Sequence, residues 1–141
     1  MVWLLACVMT ILMSVVTLSN THALNAHSAT TVSAEQQAAQ TIAYMSALDD
    51  YLYDHPQTDG TVPDSALPVM PPKNGHHIIQ ASRVWVWQPD APGLLWQLEK
   101  TSETSALMGR VANGRLIDAI GTDMKATVPS SIPDGSVVYL N

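Results

Sequence analysis

The stretch Val2–Leu18 constrains this chain most, because it contains no charged side chain. Its polar groups are the hydroxyls of Thr10, Ser14 and Thr17, which can bond back to helix carbonyls and so be tolerated in lipid. As a helix the stretch is about 26 Å long. A bilayer core is roughly 30 Å thick, so this helix is short but sufficient for a thin or locally thinned membrane. We therefore predict a transmembrane anchor over residues 1–18.

The same stretch also has some features of a cleaved signal peptide, and the two interpretations remain open. Small-x-small cleavage sites occur at Thr21–Ala23 and His27–Ala29, in a polar tract. The apolar run is longer than the usual 7–15 residues of a signal peptide, and no Lys or Arg precedes it, which favours a retained anchor. The α-amino charge favours a cytoplasmic N-terminus. We expect a flexible stalk over residues 19–32 and a periplasmic domain over residues 33–141.

Two further classes of membrane-attached protein fit the N-terminus less well. A lipoprotein cysteine follows its apolar stretch, whereas Cys7 lies within it and is better explained as a buried thiol. A type IV pilin has a basic leader, a glycine before the cleavage point and a glutamate early in the apolar helix. Here the first glutamate is Glu35. The sequence therefore disfavours both a lipoprotein and a pilin subunit.

Charge is distributed unevenly along the chain, which carries a formal net charge of −6. The first 72 residues contain acids but no Lys or Arg, and the first basic residue is Lys73. Nucleic-acid binding needs a basic face, and the sequence shows none. We expect no contact with DNA or RNA.

The segment after the stalk has the pattern of an amphipathic helix. Ser33–Gln36 has the form of a capping box, which predicts the helix start. Apolar residues then recur at spacings of three and four and predict one buried face: Ala38, Ile42, Met45, Leu48 and Leu52. His55–Pro56 predicts the end of the helix. The proline-rich segment from Val62 to Lys73 is predicted to be irregular.

The remaining elements predict a small sheet. The segment Ser82–Gln88 alternates valine and tryptophan at its centre, which indicates a strand covered on both faces. Asp90 and Pro92 offer a start for a short helix that ends near Ser102. Asn113–Gly114 separates two apolar runs and predicts a hairpin. With a last strand over Ser136–Leu140, the sum is an α+β fold with a mainly antiparallel sheet and two packed helices.

The sequence contains no recognisable catalytic or ligand-binding motif. The sequence has no nucleophile elbow, phosphate loop or dinucleotide fingerprint. The adjacent His76 and His77 would face opposite sides of a strand or lie on a surface loop, and neither arrangement alone holds a metal. We expect no catalytic, cofactor-binding or metal-binding residue and no small-molecule substrate.

Two groups of residues invite a functional explanation but have a simpler structural one. Asp49, Asp50 and Asp54 resemble paired carboxylates, yet a solvated helix face explains them better. Trp85 and Trp87 have the chemistry to stack on a sugar or a peptide. Their place in an apolar strand favours core packing.

Several segments along the chain carry a family resemblance. In order, they are Gln36–Ala38 with Tyr44, Gly60–Val62, Ser65–Leu67, Val84–Trp87, Pro92–Leu95, Gly109, Asn113–Leu116 and Ile132–Val138. Together they resemble the PilM family of plasmid-borne type IVB (thin) pilus systems. This family is distinct from the larger actin-like ATPase of the same name.

The resemblance implies a non-enzymatic inner-membrane accessory protein of pilus assembly, serving conjugation. It would act by contacts with other pilus-assembly proteins while Val2–Leu18 holds it in the inner membrane. The alternative is a secreted periplasmic enzyme or ligand-binding domain, released by signal peptidase near Leu24 or Thr30.

Overall fold

A computed structural model describes Thr31 and residues 33–102 and 107–141. The chain divides into two compact units, Met1–Ser33 and Ala34–Asn141, and the second contains the sheet described below. The predicted anchor over residues 1–18 lies outside the described residues, as does nearly all of the predicted stalk. Within the described residues, no helix is both long and apolar enough to cross a membrane.

The first helix, α1, ends at residue 54 and is helical throughout residues 33–54. Its predicted apolar stripe is confirmed, since Ala38, Met45 and Leu48 are buried and Ile42 and Leu52 pack beside them. The predicted start is wrong, because Ser33 and Thr31 are already helical. Serine costs little inside a helix, so a capping pattern does not force the helix to begin there.

In the described residues of the second unit there are six strands, one further α-helix and a short 3₁₀ turn. The strands are β1 (His76–Gln80), β2 (Arg83–Pro89), β3 (Leu107–Ala112), β4 (Arg115–Ile117), β5 (Asp123–Thr127) and β6 (Ser136–Leu140). The helix α2 covers Leu94–Thr101, and the 3₁₀ turn covers Asp64–Ala66. The fold is α+β, as predicted.

The six strands form one antiparallel sheet in the order β1-β2-β6-β3-β4-β5. The strand β6 lies between β2 and β3, and all five of its residues are buried. A last strand was predicted here, but its central place was not. The edge strands β1 and β5 were not predicted, because His-His-Ile-Ile-Gln and Asp-Met-Lys-Ala-Thr have weak strand patterns.

Each face of the sheet has its own apolar core. The helices α1 and α2 cover one face, where Val84 and Val86 of β2 pack with Leu48 and Leu98. On the other face Trp85 packs with residues of β4, β6 and the segment before β6, including Leu116, Leu140, Val128 and Ile132. The alternation of valine and tryptophan therefore indicated a strand covered on both sides, as the structure shows.

Two hairpin turns place residues in the left-handed region. Asn113 and Gly114 form the predicted β3–β4 turn, with φ of +50° and +69°. The β1–β2 turn uses Ala81 and Ser82 at φ of +53° and +63°, which non-glycine residues adopt at a cost. The segment before β1 supports that turn, since Thr58 O accepts a hydrogen bond from Ser82 N–H and Asp59 Oδ1 accepts one from Ala81 N–H. The β1–β2 turn and the end of α1 thereby come together.

Candidate functional site

The surface groove at the C-terminal end of α1 is the candidate functional site. Its volume is about 480 Å³, and nine residues from distant parts of the chain line it. They come from the last turns of α1, the segment after it, the β1–β2 turn, the start of β2 and the C-terminal residue: Asp49, Leu52, Tyr53, Pro56, Gln57, Thr58, Ser82, Val84 and Asn141.

The polar centre of the groove is Asp49. Its Oδ2 accepts a 2.7 Å hydrogen bond from Asn141 Nδ2, across 92 positions of sequence. Asn141 is fixed in turn, because its backbone N–H donates to Val84 O at 3.1 Å. Burial raises the pKa of the Asp49 carboxyl, while the bond from Asn141 opposes that shift. The solvated interpretation holds for Asp50 and Asp54, which are exposed, but not for half-buried Asp49.

Tyr53 forms the apolar part of the groove together with Leu52 and Val84. The Tyr53 side chain is 88% exposed, although a tyrosine usually buries most of its ring. No lysine or arginine lines the groove. The site therefore combines a free aromatic ring with a carboxylate and lacks a cation of its own.

A second constellation joins α1, the 3₁₀ turn and β1 inside the fold. His77 Nε2 accepts a 2.9 Å hydrogen bond from Val62 N–H, so the neutral ring carries its proton on Nδ1. Nδ1 lies 2.8 Å from Tyr44 Oη, and Tyr44 Oη donates to Asp64 Oδ1 at 3.0 Å. One tautomer thus satisfies every polar group of the chain Val62–His77–Tyr44–Asp64.

Tyr44 and His77 in this polar chain are buried, whereas Asp64 at its end is exposed. Tyr44 is fully buried. Burial raises the pKa of the Tyr44 phenol well above its usual value, and the hydrogen bond to Asp64 adds to the shift, so the hydroxyl stays protonated. Burial also lowers the pKa of His77. The arrangement fixes the segment before β1 against the sheet.

The other residues singled out in the sequence have structural roles. Trp85 is buried in the second core and Trp87 packs against it, which confirms the core interpretation. His76 points away from His77 and lies against Trp87, with ring centroids 5.6 Å apart. Among the described residues, no group of three or more His, Cys, Asp or Glu is arranged to hold a metal ion.

Sequence reasoning missed both constellations. The groove joins Asp49 to Asn141, and the polar chain joins Tyr44 to His77, so each depends on long-range packing. The signal available in the sequence was Tyr53, an aromatic residue that lies outside the apolar stripe of α1.

Comparison with known proteins identifies the family. The family model named PilM matches residues 8–140, which is nearly the whole chain. This chain belongs to the PilM family. The resemblance predicted from the sequence is thereby confirmed.

The structural comparison agrees with the family model. A crystal structure of a PilM protein from Escherichia coli B7A is 41% identical in sequence and superposes with a TM-score of 0.66. The match covers 79% of this chain and 93% of that PilM chain. No curated protein matches the chain. PilM is a pilus-related family, and the assignment rests on both sequence and fold.

Proposed function

We propose that this PilM-family protein is a non-enzymatic accessory component of type IV (thin) pilus assembly in conjugation, held at the bacterial inner membrane with its folded domain in the periplasm. Membership of the PilM family carries the proposal. It acts by binding other pilus-assembly proteins. An anchor restricts it to two dimensions and so raises its effective concentration beside membrane-bound partners.

The described polar groups favour binding over catalysis. The buried His77 and Tyr44 are each hydrogen-bonded within the fold, and neither is placed to exchange protons with a substrate. The groove at Asp49 and Tyr53 is open and presents an exposed aromatic ring beside a half-buried carboxylate. Such a surface suits recognition of a partner protein.

Deletion and complementation test the pilus role. Deleting the coding sequence should abolish or reduce thin pili and lower the frequency of mating in liquid, and the wild-type chain supplied in trans should restore both. Unchanged piliation together with unchanged liquid mating would contradict the proposal. Mating on a solid surface provides the control, because cell contact there depends less on pili.

Fractionation tests the anchor. A full-length chain in the inner-membrane fraction, protected from protease until the outer membrane is opened, is the expected result. A soluble periplasmic form whose N-terminus lies near Leu24 or Thr30 would show that signal peptidase has removed the stretch Val2–Leu18.

A further inference from the structure

We propose that the groove at the end of α1 binds a basic, partly apolar segment of a partner protein. A lysine or arginine of that segment reaches Asp49, and an apolar neighbour packs on Leu52 and Tyr53. The inference rests on the proposed function only in expecting the partner to be a pilus-assembly protein.

Charge favours a cation in this groove. Asp49 supplies a half-buried carboxylate, of which Asn141 occupies one oxygen. The negative end of the α1 dipole lies at the same place, and Asp50 and Asp54 add charge of the same sign. In the described part of the chain, the ion pairs join Arg110 to Asp90 and Arg115 to Asp123, so none neutralises these three carboxylates. A partner cation would gain a charge-assisted hydrogen bond here.

Shape favours a polypeptide over a small molecule. Small-molecule sites enclose most of their ligand, whereas this groove is open and its Tyr53 wall is 88% exposed. Leu52 and Tyr53 offer an apolar surface beside the carboxylate. A lysine or arginine has an apolar stem that can pack on Leu52 and Tyr53 and a cationic end that can reach the carboxylate.

A second copy of the chain is the main competing occupant. On the exposed side of α2, the Lys100 ammonium lies 5.1 Å from the centroid of the Trp96 ring, and this pair also combines a cation with an aromatic group. Lys100 is already engaged by Trp96, however, and inserting it into the groove would forfeit that contact. We therefore assign the groove to another protein.

Fluorine NMR of the full-length chain in detergent micelles tests the proposal directly. The chain has four tyrosines, so labelling with 3-fluorotyrosine gives four signals, and Tyr53→Phe identifies that of Tyr53. The probes are the heptapeptide Gly-Ser-Leu-Lys-Leu-Ser-Gly and versions in which Lys is replaced by Arg, norleucine or Glu. The Lys and Arg peptides should shift the Tyr53 signal saturably, and norleucine or Glu should weaken binding at least about tenfold.

Matched variants locate the binding. Asp49→Asn removes the charge but keeps an oxygen that can accept from Asn141, and it should weaken binding of the Lys peptide about tenfold. Asp50→Asn makes the same charge change one residue away, and it should alter binding less than about twofold. Tyr53→Ala should weaken binding, read from the remaining signals, whereas Ile120→Ala, at an equally exposed site, should not. Unchanged signals from Tyr44 and Tyr51 verify that each variant is folded.

Three results would overturn the inference: no saturable shift with the Lys peptide, equal binding of the Lys and norleucine peptides, or equal effects of Asp49→Asn and Asp50→Asn. Self-association that fills the groove and is abolished by Lys100→Gln would assign it to a second copy instead. The deletion experiment is independent of these outcomes. If deletion abolishes pili but the groove binds no peptide, the proposed function stands and the proposal for the groove fails. If the groove binds the peptide specifically but deletion leaves pili normal, the proposal for the groove stands and the proposed function fails.

Discussion

Burial lowers the pKa of His77 and so favours its neutral form. Its Nε2 faces the N–H of Val62 and therefore has to accept a hydrogen bond. A proton on Nε2 would place two donors against each other and would break the link to Val62, which precedes the 3₁₀ turn. Two charged or titratable groups act on the ring from nearby: Asp64 favours its protonation, and His76 opposes it. Burial outweighs both and sets the direction of the pKa shift.

The shifted pKa predicts a pH-dependent stability. His77 has a lowered pKa in the folded state, so the unfolded chain binds more protons once the pH falls below the ordinary histidine value of 6.5. The free energy of unfolding should be level above this pH and should decline from there towards the lower, folded pKa. Urea unfolding at a series of pH values measures the slope.

Replacement of His77 tests whether this residue causes the slope, and replacement of its neighbour His76 is the control. His77→Gln should destabilise the protein and flatten this part of the pH profile, whereas His76→Gln removes only the smallest of the influences on the His77 pKa and should change the slope much less. An unaltered slope in His77→Gln would contradict the assignment.

Tyr44 predicts the cost of breaking the polar chain. Tyr44→Phe removes the hydroxyl between His77 Nδ1 and Asp64, and the buried N–H of His77 then loses its acceptor. The free energy of unfolding should fall by about 1–3 kcal/mol. Tyr53→Phe makes the same chemical change at an exposed site and should alter it by less than about 0.5 kcal/mol. Equal effects at the two positions would disprove the role of the Tyr44 hydroxyl.

At the scale of elements, β3 and β4 approach each other closely at Gly109. A Cβ added to Gly109 would collide with the carbonyl oxygen of Ile117, which belongs to the backbone of β4. Gly109→Ala should therefore lower the free energy of unfolding by about 3 kcal/mol, because a strand cannot move as a side chain can. Thermal unfolding measures the loss.

Gly121→Ala is the comparison for that loss. Gly121 has a φ of +90° and nothing within 4 Å of an added Cβ, so its cost is backbone strain alone, about 1 kcal/mol. A smaller loss at Gly109 than at Gly121 would contradict the steric argument.

The elements with strong local patterns were predictable. The apolar stripe of α1, the valine-tryptophan alternation of β2 and the Asn113–Gly114 turn each carry their signal within a few residues. The strands β1 and β5 do not, since they form by pairing at the sheet edges. In a strand, the adjacent His76 and His77 face opposite sides, but the sequence does not show which of the two is buried. The burial of His77 depends on its long-range contacts with Tyr44 and Val62.

For the molecule as a whole, the position of β6 matters most. This strand pairs with both β2 and β3, so it joins two halves of the sheet that do not pair directly. A chain that lacks residues 136–141 should therefore fail to fold, as measured by the loss of near-ultraviolet circular dichroism and of dispersed NMR signals. Insertion of two glycines after Ile120 is the control, because that exposed loop should accept them. A folded truncated chain would contradict the central role of β6.

The candidate site also depends on the fold of the whole molecule. The sequence places Asp49 and Tyr53 near a helix end, but the hydrogen bond between Asp49 and Asn141 forms only once β6 is in place. The groove and the completed sheet are therefore linked: Asn141 follows β6 directly and donates to both Asp49 and Val84. Local sequence patterns therefore predict which residues lie at a helix end. They do not predict the long-range contacts that bring those residues together in a site.

The order of the strands determines when during synthesis the sheet can be completed. Five strands are synthesised before β6, yet their two groups have no shared edge until β6 arrives. A chain synthesised only as far as β5 therefore cannot complete the core. It stays unfolded enough to pass through a narrow channel. Export of an unfolded domain, which the proposed periplasmic location requires, is helped when the strand that completes the sheet is synthesised after the other five described strands.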